Sequence, residues 1–166
     1  MEIAGHEFWG ADGKTIWYDL QTPRGKYFWI AGYNIATGLR TRYHLRPIES
    51  SVHFNVSANG KFFSDDGNDN TKDGKWIYLF HPIISSNQAE TGINKNGLVK
   101  TGILYSQRLV NMSNHDYAVE PNATFTPDMK WLIFRSNISG VNQVYAVELR
   151  RRILPTNPSR KSLNSL

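Results

Sequence analysis

An all-β chain assembled from repeated radial blades is what this sequence predicts, on three observations. A polar residue of ligand type stands six positions ahead of the same turn three times: His6 before Asp12-Gly13-Lys14, His53 before Asn59-Gly60-Lys61, and Asn122 before Asp128-Met129-Lys130. Each turn then opens an apolar run, Thr15-Ile16-Trp17-Tyr18, Phe62-Phe63 and Trp131-Leu132-Ile133-Phe134. Almost every other strong signal is a short apolar or alternating run bounded by turn residues, which is strand patterning. A register shared by polar residue, turn and strand marks a structural repeat. Four short strands in each stretch of roughly 40–50 residues is the pattern of a β-propeller blade.

The elements follow in order. Thr15 to Asp19 reads as a strand, Gln21-Thr22-Pro23-Arg24-Gly25 as a turn, Tyr27 to Ile30 extending towards Asn34 as the next strand, and Thr41 to Leu45 as another after Ala36-Thr37-Gly38. The second unit starts at Val52-His53-Phe54-Asn55-Val56 and continues through Lys61–Ser64 and Trp76–Phe80, with Gln107–Val110 as its returning outer strand. Between its strands, Ser64 to Asn70 reads as a polar, solvated loop; its aspartates lack the glycine and distal glutamate of an EF-hand calcium loop. Residues 82 to 105 read as a long irregular insertion with room for one short helix. The third unit, from Asn122 through Trp131–Ser136 and Val144–Leu149, is one strand short.

The turn residues Asp12 and Asn59 are 47 positions apart and Asp128 follows 69 later, the insertion accounting for the excess. About three blades fit into residues 1–154, whereas a closed propeller needs at least about four. Either the chain is part of a longer one or copies assemble to close the ring. The opening at Gly5-His6-Glu7, already inside a repeat, favours N-terminal blades missing from this sequence. Residues 155–166 read as a disordered tail.

Composition bounds the rest. The 166 residues carry a net charge of +5, no cysteine, 40% hydrophobic and 13% aromatic residues. That is globular material without a disulfide framework, a thiolate metal site or a thiol nucleophile. No apolar run approaches the ~20 residues of a membrane span, and Met1-Glu2-Ile3-Ala4-Gly5 lacks the basic start and apolar stretch of a signal peptide. No compartment is legible. Five of the nineteen basic residues lie in the last seventeen positions, a solvated tail rather than a nucleic-acid surface. Neither a phosphate-binding glycine loop nor a nucleophile elbow is present.

The residues that carry chemistry are few. His6 and His53 hold one register on inner strands, which face a propeller's axis, so both imidazoles should meet there. Each could be a base or a metal ligand. The densest cluster is Asn114-His115-Asp116-Tyr117-Ala118-Val119-Glu120-Pro121-Asn122. Glu120 and Asn122 share one face of an extended segment, and His115 reaches the same place or fixes the loop. Oxygen ligands with one or two imidazoles suit manganese, calcium or magnesium.

At Gly5-His6-Glu7-Phe8-Trp9, Ser51-Val52-His53-Phe54-Asn55 and Phe125-Thr126-Pro127-Asp128 the chain resembles the C-terminal part of the oligogalacturonate lyase family, over residues 5 to about 149. The resemblance implies part of a seven-bladed propeller that cleaves short pectic uronides by β-elimination with a divalent metal, Mn2+ or alternatively Ca2+. It implies Brønsted-base work for His6 and metal ligation for His53. The family's Gln-x-x-His-x-His ligand segment falls on Tyr117, Glu120 and Asn122, so the expected metal set is His53, Glu120 and Asn122, with His115 in place of the missing glutamine. A family catalytic arginine upstream of His-Glu-Phe-Trp has no counterpart here. The expected partner is an acidic oligosaccharide, with no nucleic acid and no membrane. The alternative is a non-catalytic propeller module that binds acidic glycans or a protein.

Overall fold

The computed structural model describes residues 1–69, 74–84, 93–94 and 97–149. Its regular structure is almost wholly β. The first blade is an antiparallel meander of β1 (Ile3–Trp9), β2 (Thr15–Gln21), β3 (Phe28–Asn34) and β4 (Arg40–Leu45). A short 3-10 turn, Pro47–Glu49, leads to the second blade, β5 (Asn55–Val56), β6 (Phe63–Asp65), β7 (Trp76–Ile84) and β9 (Gly97–Asn111), with β8 (Ile93–Asn94) paired to the start of β9. The third blade is β10 (Thr124–Phe125), β11 (Trp131–Ser136) and β12 (Gln143–Glu148).

The repeat seen in the sequence is a repeat of hydrogen bonds. Asp12 Oδ1 accepts from the Lys14 and Thr15 N–H groups at 2.9 Å, Asn59 Oδ1 from Lys61 N–H at 3.0 Å, and Asp128 Oδ1 from Lys130 N–H at 3.1 Å. Behind each, main-chain bonds recur in the same register, Gly10 N–H to Thr15 O, Ser57 N–H to Phe62 O and Thr126 N–H to Trp131 O. The residue after the acceptor is left-handed every time, Gly13 at φ 60°, Gly60 at φ 69° and Met129 at φ 58°. Glycine takes that conformation freely and methionine takes it at a cost. The third turn keeps its shape because side-chain and main-chain bonds around it fix it.

Alternation along β7 explains how the blades stack. Successive strand residues point to opposite faces, and both faces of β7 are covered. Tyr78 and Phe80 enter a core shared with the first blade, beside Ile30, Tyr43, Leu45, Phe54 and Phe63. Ile77 and Leu79 enter a core shared with the third, beside Phe62, Met112, Leu132 and Phe134. All four β7 side chains are fully buried. Within the first core Trp17 packs edge-on to Phe63 and stacks with Tyr43. Trp17 lies opposite Gly32 on β3, where a Cβ atom would meet its ring at 2.7 Å.

Three expectations are corrected. Residues 82–84 and 97–105 are not irregular: β7 runs to Ile84, its apolar Ile83 and Ile84 pairing with Ile103 and Gly102, and β9 starts at Gly97, where it pairs with β8. The lengthened β9 also pairs in parallel with β4, Arg40–His44 against Val99–Ile103, joining the outer edges of two blades. Ser64 to Asn68 is buried rather than solvated, since β6 carries it between the blades. Of the expected strand Val52–Val56, only Asn55–Val56 pairs. The expected tail, residues 155–166, lies outside the described residues, as does most of the insertion between β7 and β9.

Candidate functional site

His6 sits at an irregularity in β1. Between Gly5, opposite Asp19, and Phe8, opposite Trp17, β1 spends one residue more than β2. The extra residue makes a β-bulge, a device that re-aims side chains, and His6 takes φ 52° within it. Its Nδ1 lies 2.9 Å from Asp19 Oδ1. Asp19 is buried on β2, and desolvation raises its carboxyl above the ordinary value against the opposing pull of His6.

His53 precedes β5 and repeats the arrangement. Its Nδ1 lies 3.1 Å from Asp66 Oδ2, and Asp66 is 1% exposed. The same carboxylate accepts the Ser51 hydroxyl at 2.8 Å and the Asn122 main-chain N–H at 3.1 Å. One buried aspartate thus ties the first residues of the second and third blades together. The hydrogen bond to Asp66, helped by the charges of Asp66, Glu120 and Asp19, raises the His53 imidazole above its usual value in spite of partial burial. In each blade it is Nδ1 that meets the carboxylate, which as an ionised group only accepts, and Nε2 is the ring nitrogen that the carboxylate leaves open.

The rings of His6 and His53 meet edge to face with centroids 5.5 Å apart. Around them is a cleft of about 340 Å³, lined also by Glu7, Phe8, Asn55, Asn122 and Thr124. Asn122, in the equivalent position of the third blade, is left-handed like His6, at φ 50°. The sequence expectation that these three residues converge is met in the geometry. Glu120 stands at the rim, 60% exposed, with Oε1 4.0 Å from His53 Nε2. His115 does not join them. It is buried, with Nε2 2.7 Å from Val119 O, Nδ1 2.9 Å from Ser136 Oγ, and its ring against Tyr117. Tyr117 is committed as well, its hydroxyl donating to Asp66 O at 3.0 Å.

A divalent cation suits part of this geometry. Asp66 stands on His53 Nδ1 as a carboxylate stands behind a metal-bound histidine. His53 Nε2 and Glu120 Oε1 make one imidazole and one carboxylate donor. That suits a hard cation keeping several positions for water or substrate. Among the described residues no cluster of three His, Asp or Glu side chains is arranged to hold an ion.

Asp19 and Asp66, the buried carboxylates behind the two imidazoles, are the site residues absent from the sequence expectations. Their signal was present: Asp19 follows His6 by thirteen positions and Asp66 follows His53 by thirteen.

Fold and site define a class, all-β propeller blades whose inner strands line a shared polar cleft. No model of a known protein family matches the chain, and no protein of curated function does. Solved structures do match. An oligogalacturonate lyase from Vibrio parahaemolyticus is 20% identical with a TM-score of 0.63, over 89% of this chain and 36% of that one. An oligogalacturonate lyase in complex with manganese is 21% identical with a TM-score of 0.63, over 89% and 35%. TolB from Acinetobacter baumannii is 23% identical with a TM-score of 0.54, over 90% and 30%. The chain spans about a third of the length of each. At these identities the likeness is one of fold, shared by proteins of different names.

Proposed function

We propose that this chain carries the proton-abstracting and cation-holding part of a lyase that cleaves short pectic uronides by β-elimination. The observation that carries the reading is the pair of imidazoles 5.5 Å apart over one cleft, each backed by a buried aspartate. Beside it stands the likeness in fold to oligogalacturonate lyases, one of them in complex with manganese.

The chemistry follows from the substrate. In a uronate the C5 proton is next to a carboxylate, so its removal builds charge on the carboxylate oxygens. Neutral His6 takes that proton on Nε2, the C5–H electron pair becomes the C4–C5 double bond, and the C4–O bond breaks. The leaving oxygen keeps its electron pair and is protonated to a hydroxyl; no water is consumed. A positioned base of this kind contributes on the order of 10²- to 10⁴-fold. His53 and Glu120 would hold the cation, Asn122 lining the same cleft, and a bound Mn2+ or Ca2+ would supply Lewis-acid stabilisation of the uronate carboxylate. The cleft has its own reason to need one. Glu7 lines it, Asp19, Asp66 and Glu120 stand against its two imidazoles, and among the described residues no lysine or arginine lines it, so an anionic sugar meets acidic groups.

The competing reading is a propeller module that binds glycan or protein without catalysis. What favours it is the commitment of Tyr117 and His115 to structural hydrogen bonds, which leaves His53 and Glu120 as the paired donors. Ultraviolet absorbance of unsaturated uronate separates the two. The full-length protein with trigalacturonate and MnCl2 should generate it and should stop in excess chelator. Binding of trigalacturonate without any rise in absorbance would establish the non-catalytic reading instead.

A further inference from the structure

Buried carboxylates beside a cleft for acidic sugars are an unexpected feature. Desolvating a carboxylate is costly unless something specific compensates, and the three blades show what compensates here. Thirteen residues after His6 comes Asp19, thirteen after His53 comes Asp66, and thirteen after Asn122 comes Arg135. The first two bind the imidazole Nδ1 of their own repeat. Arg135 instead donates from Nε and Nη2 to the Glu120 main-chain oxygen, at 3.3 and 3.2 Å. The third blade therefore forms with a cation where the others have an acid. The acid is tied to the imidazole, not to the blade. An amide such as Asn122 has no tautomer to set, and there the acid is absent.

We propose that Asp19 and Asp66 are positioning residues, one per blade, which hold His6 and His53 as the Nδ1–H tautomer so that both Nε2 lone pairs face the cleft. This rests on the base and ligand roles assigned above and adds the groups that make those roles possible. Asp19 is the cleaner case. Among the described residues its carboxylate makes one side-chain hydrogen bond, to His6, whereas Asp66 also anchors Ser51 and Asn122.

The experiment joins two readouts on the full-length protein. The ¹⁵N shifts of the His6 and His53 rings report the tautomer without any substrate. In the parent above the imidazole pKa, both rings should show protonated Nδ1 and unprotonated Nε2. Asp19→Asn offers an amide donor to Nδ1 and should move the His6 proton to Nε2, leaving His53 unchanged. With trigalacturonate and Mn2+, Asp19→Asn should lower kcat by on the order of 10²- to 10⁴-fold with KM near the parent value. Asp19→Glu, which restores an acceptor, should recover part of it. A parent spectrum showing Nε2–H on His6 overturns the inference, as does an Asp19→Asn protein with parental kcat and pH profile. Should the parent release no unsaturated uronate, the lyase reading fails while the ring spectra still decide the tautomer. Should Asp19→Asn fail to fold, the parent spectrum and Asp19→Glu carry the decision.

Discussion

His6 and His53 are 47 residues apart in sequence, yet their rings meet edge to face at 5.5 Å. Two different routes bring them there. His6 is delivered by a bulge in β1 with a left-handed backbone, while His53 enters from the connection ahead of β5. What they share is the carboxylate behind, at 2.9 Å for His6 and 3.1 Å for His53. A single polar contact repeated by radial symmetry thus becomes a facing pair.

Gly32 marks where the packing has no slack. Trp17 lies across it, and a Cβ there would come within 2.7 Å of the ring. The ring is held by Tyr43 and Phe63, so it has nowhere easy to go. Gly32→Ala should destabilise the protein by about 1–3 kcal/mol, read as a lower denaturant midpoint at unchanged slope. A variant as stable as the parent would mean that Trp17 moves freely.

His115 should prove structural. Removing a buried ring that makes two hydrogen bonds leaves a cavity and takes a partner from Val119 O and from the Ser136 hydroxyl, which keeps the Ile138 N–H. His115→Ala should cost about 2–4 kcal/mol in thermal or denaturant unfolding, and should leave Mn2+ affinity near the parent value. A large loss of affinity at unchanged stability would return His115 to the ligand set.

Asp65 sets a pH dependence. Its Oδ1 accepts the Gly67 N–H at 2.7 Å, its Oδ2 has no partner among the described residues, and the side chain is fully buried. Desolvation first, then the charge of Asp66, raises its carboxyl well above 3.8. A raised acid pKa means that the folded protein binds the proton more tightly than the unfolded one. The stabilisation is complete below 3.8 and is lost as pH climbs through the elevated folded value. Asp65→Asn keeps an acceptor for Gly67 and removes the ionisation, so its stability relative to the parent should improve with rising pH across that window. Parallel stability curves for the two proteins from acid to neutral pH would contradict this.

Much of this was legible from residues alone. The turn register at Asp12, Asn59 and Asp128 gave the blades, and the matching positions of His6, His53 and Asn122 gave their convergence. What escaped notice depended on burial. Ser64-Asp65-Asp66-Gly67 has the composition of a surface loop, and only its place between two blades makes it interior. The reach of β9 was hidden for a related reason: Asn, Gly and Ser ahead of it read as loop, while pairing with β4 from Val99 and with β8 at Gly97 and Leu98 makes the segment strand. His115 looked like a ligand because its neighbours in sequence are polar, but its partners, Val119 O and Ser136 Oγ, make it part of the third blade.

In the proposed function one side of the cleft removes a proton while the other holds a cation, and a base and a ligand fail differently. The most direct measurement is Mn2+ affinity by electron paramagnetic resonance, taken together with unsaturated-uronate release from trigalacturonate, for the full-length parent, His6→Ala and His53→Ala. His6→Ala should bind Mn2+ like the parent and release almost no product. His53→Ala should lose affinity by at least about tenfold and lose activity with it. Full activity in a chelator, or a His53→Ala protein that binds Mn2+ as tightly as the parent, would contradict the account.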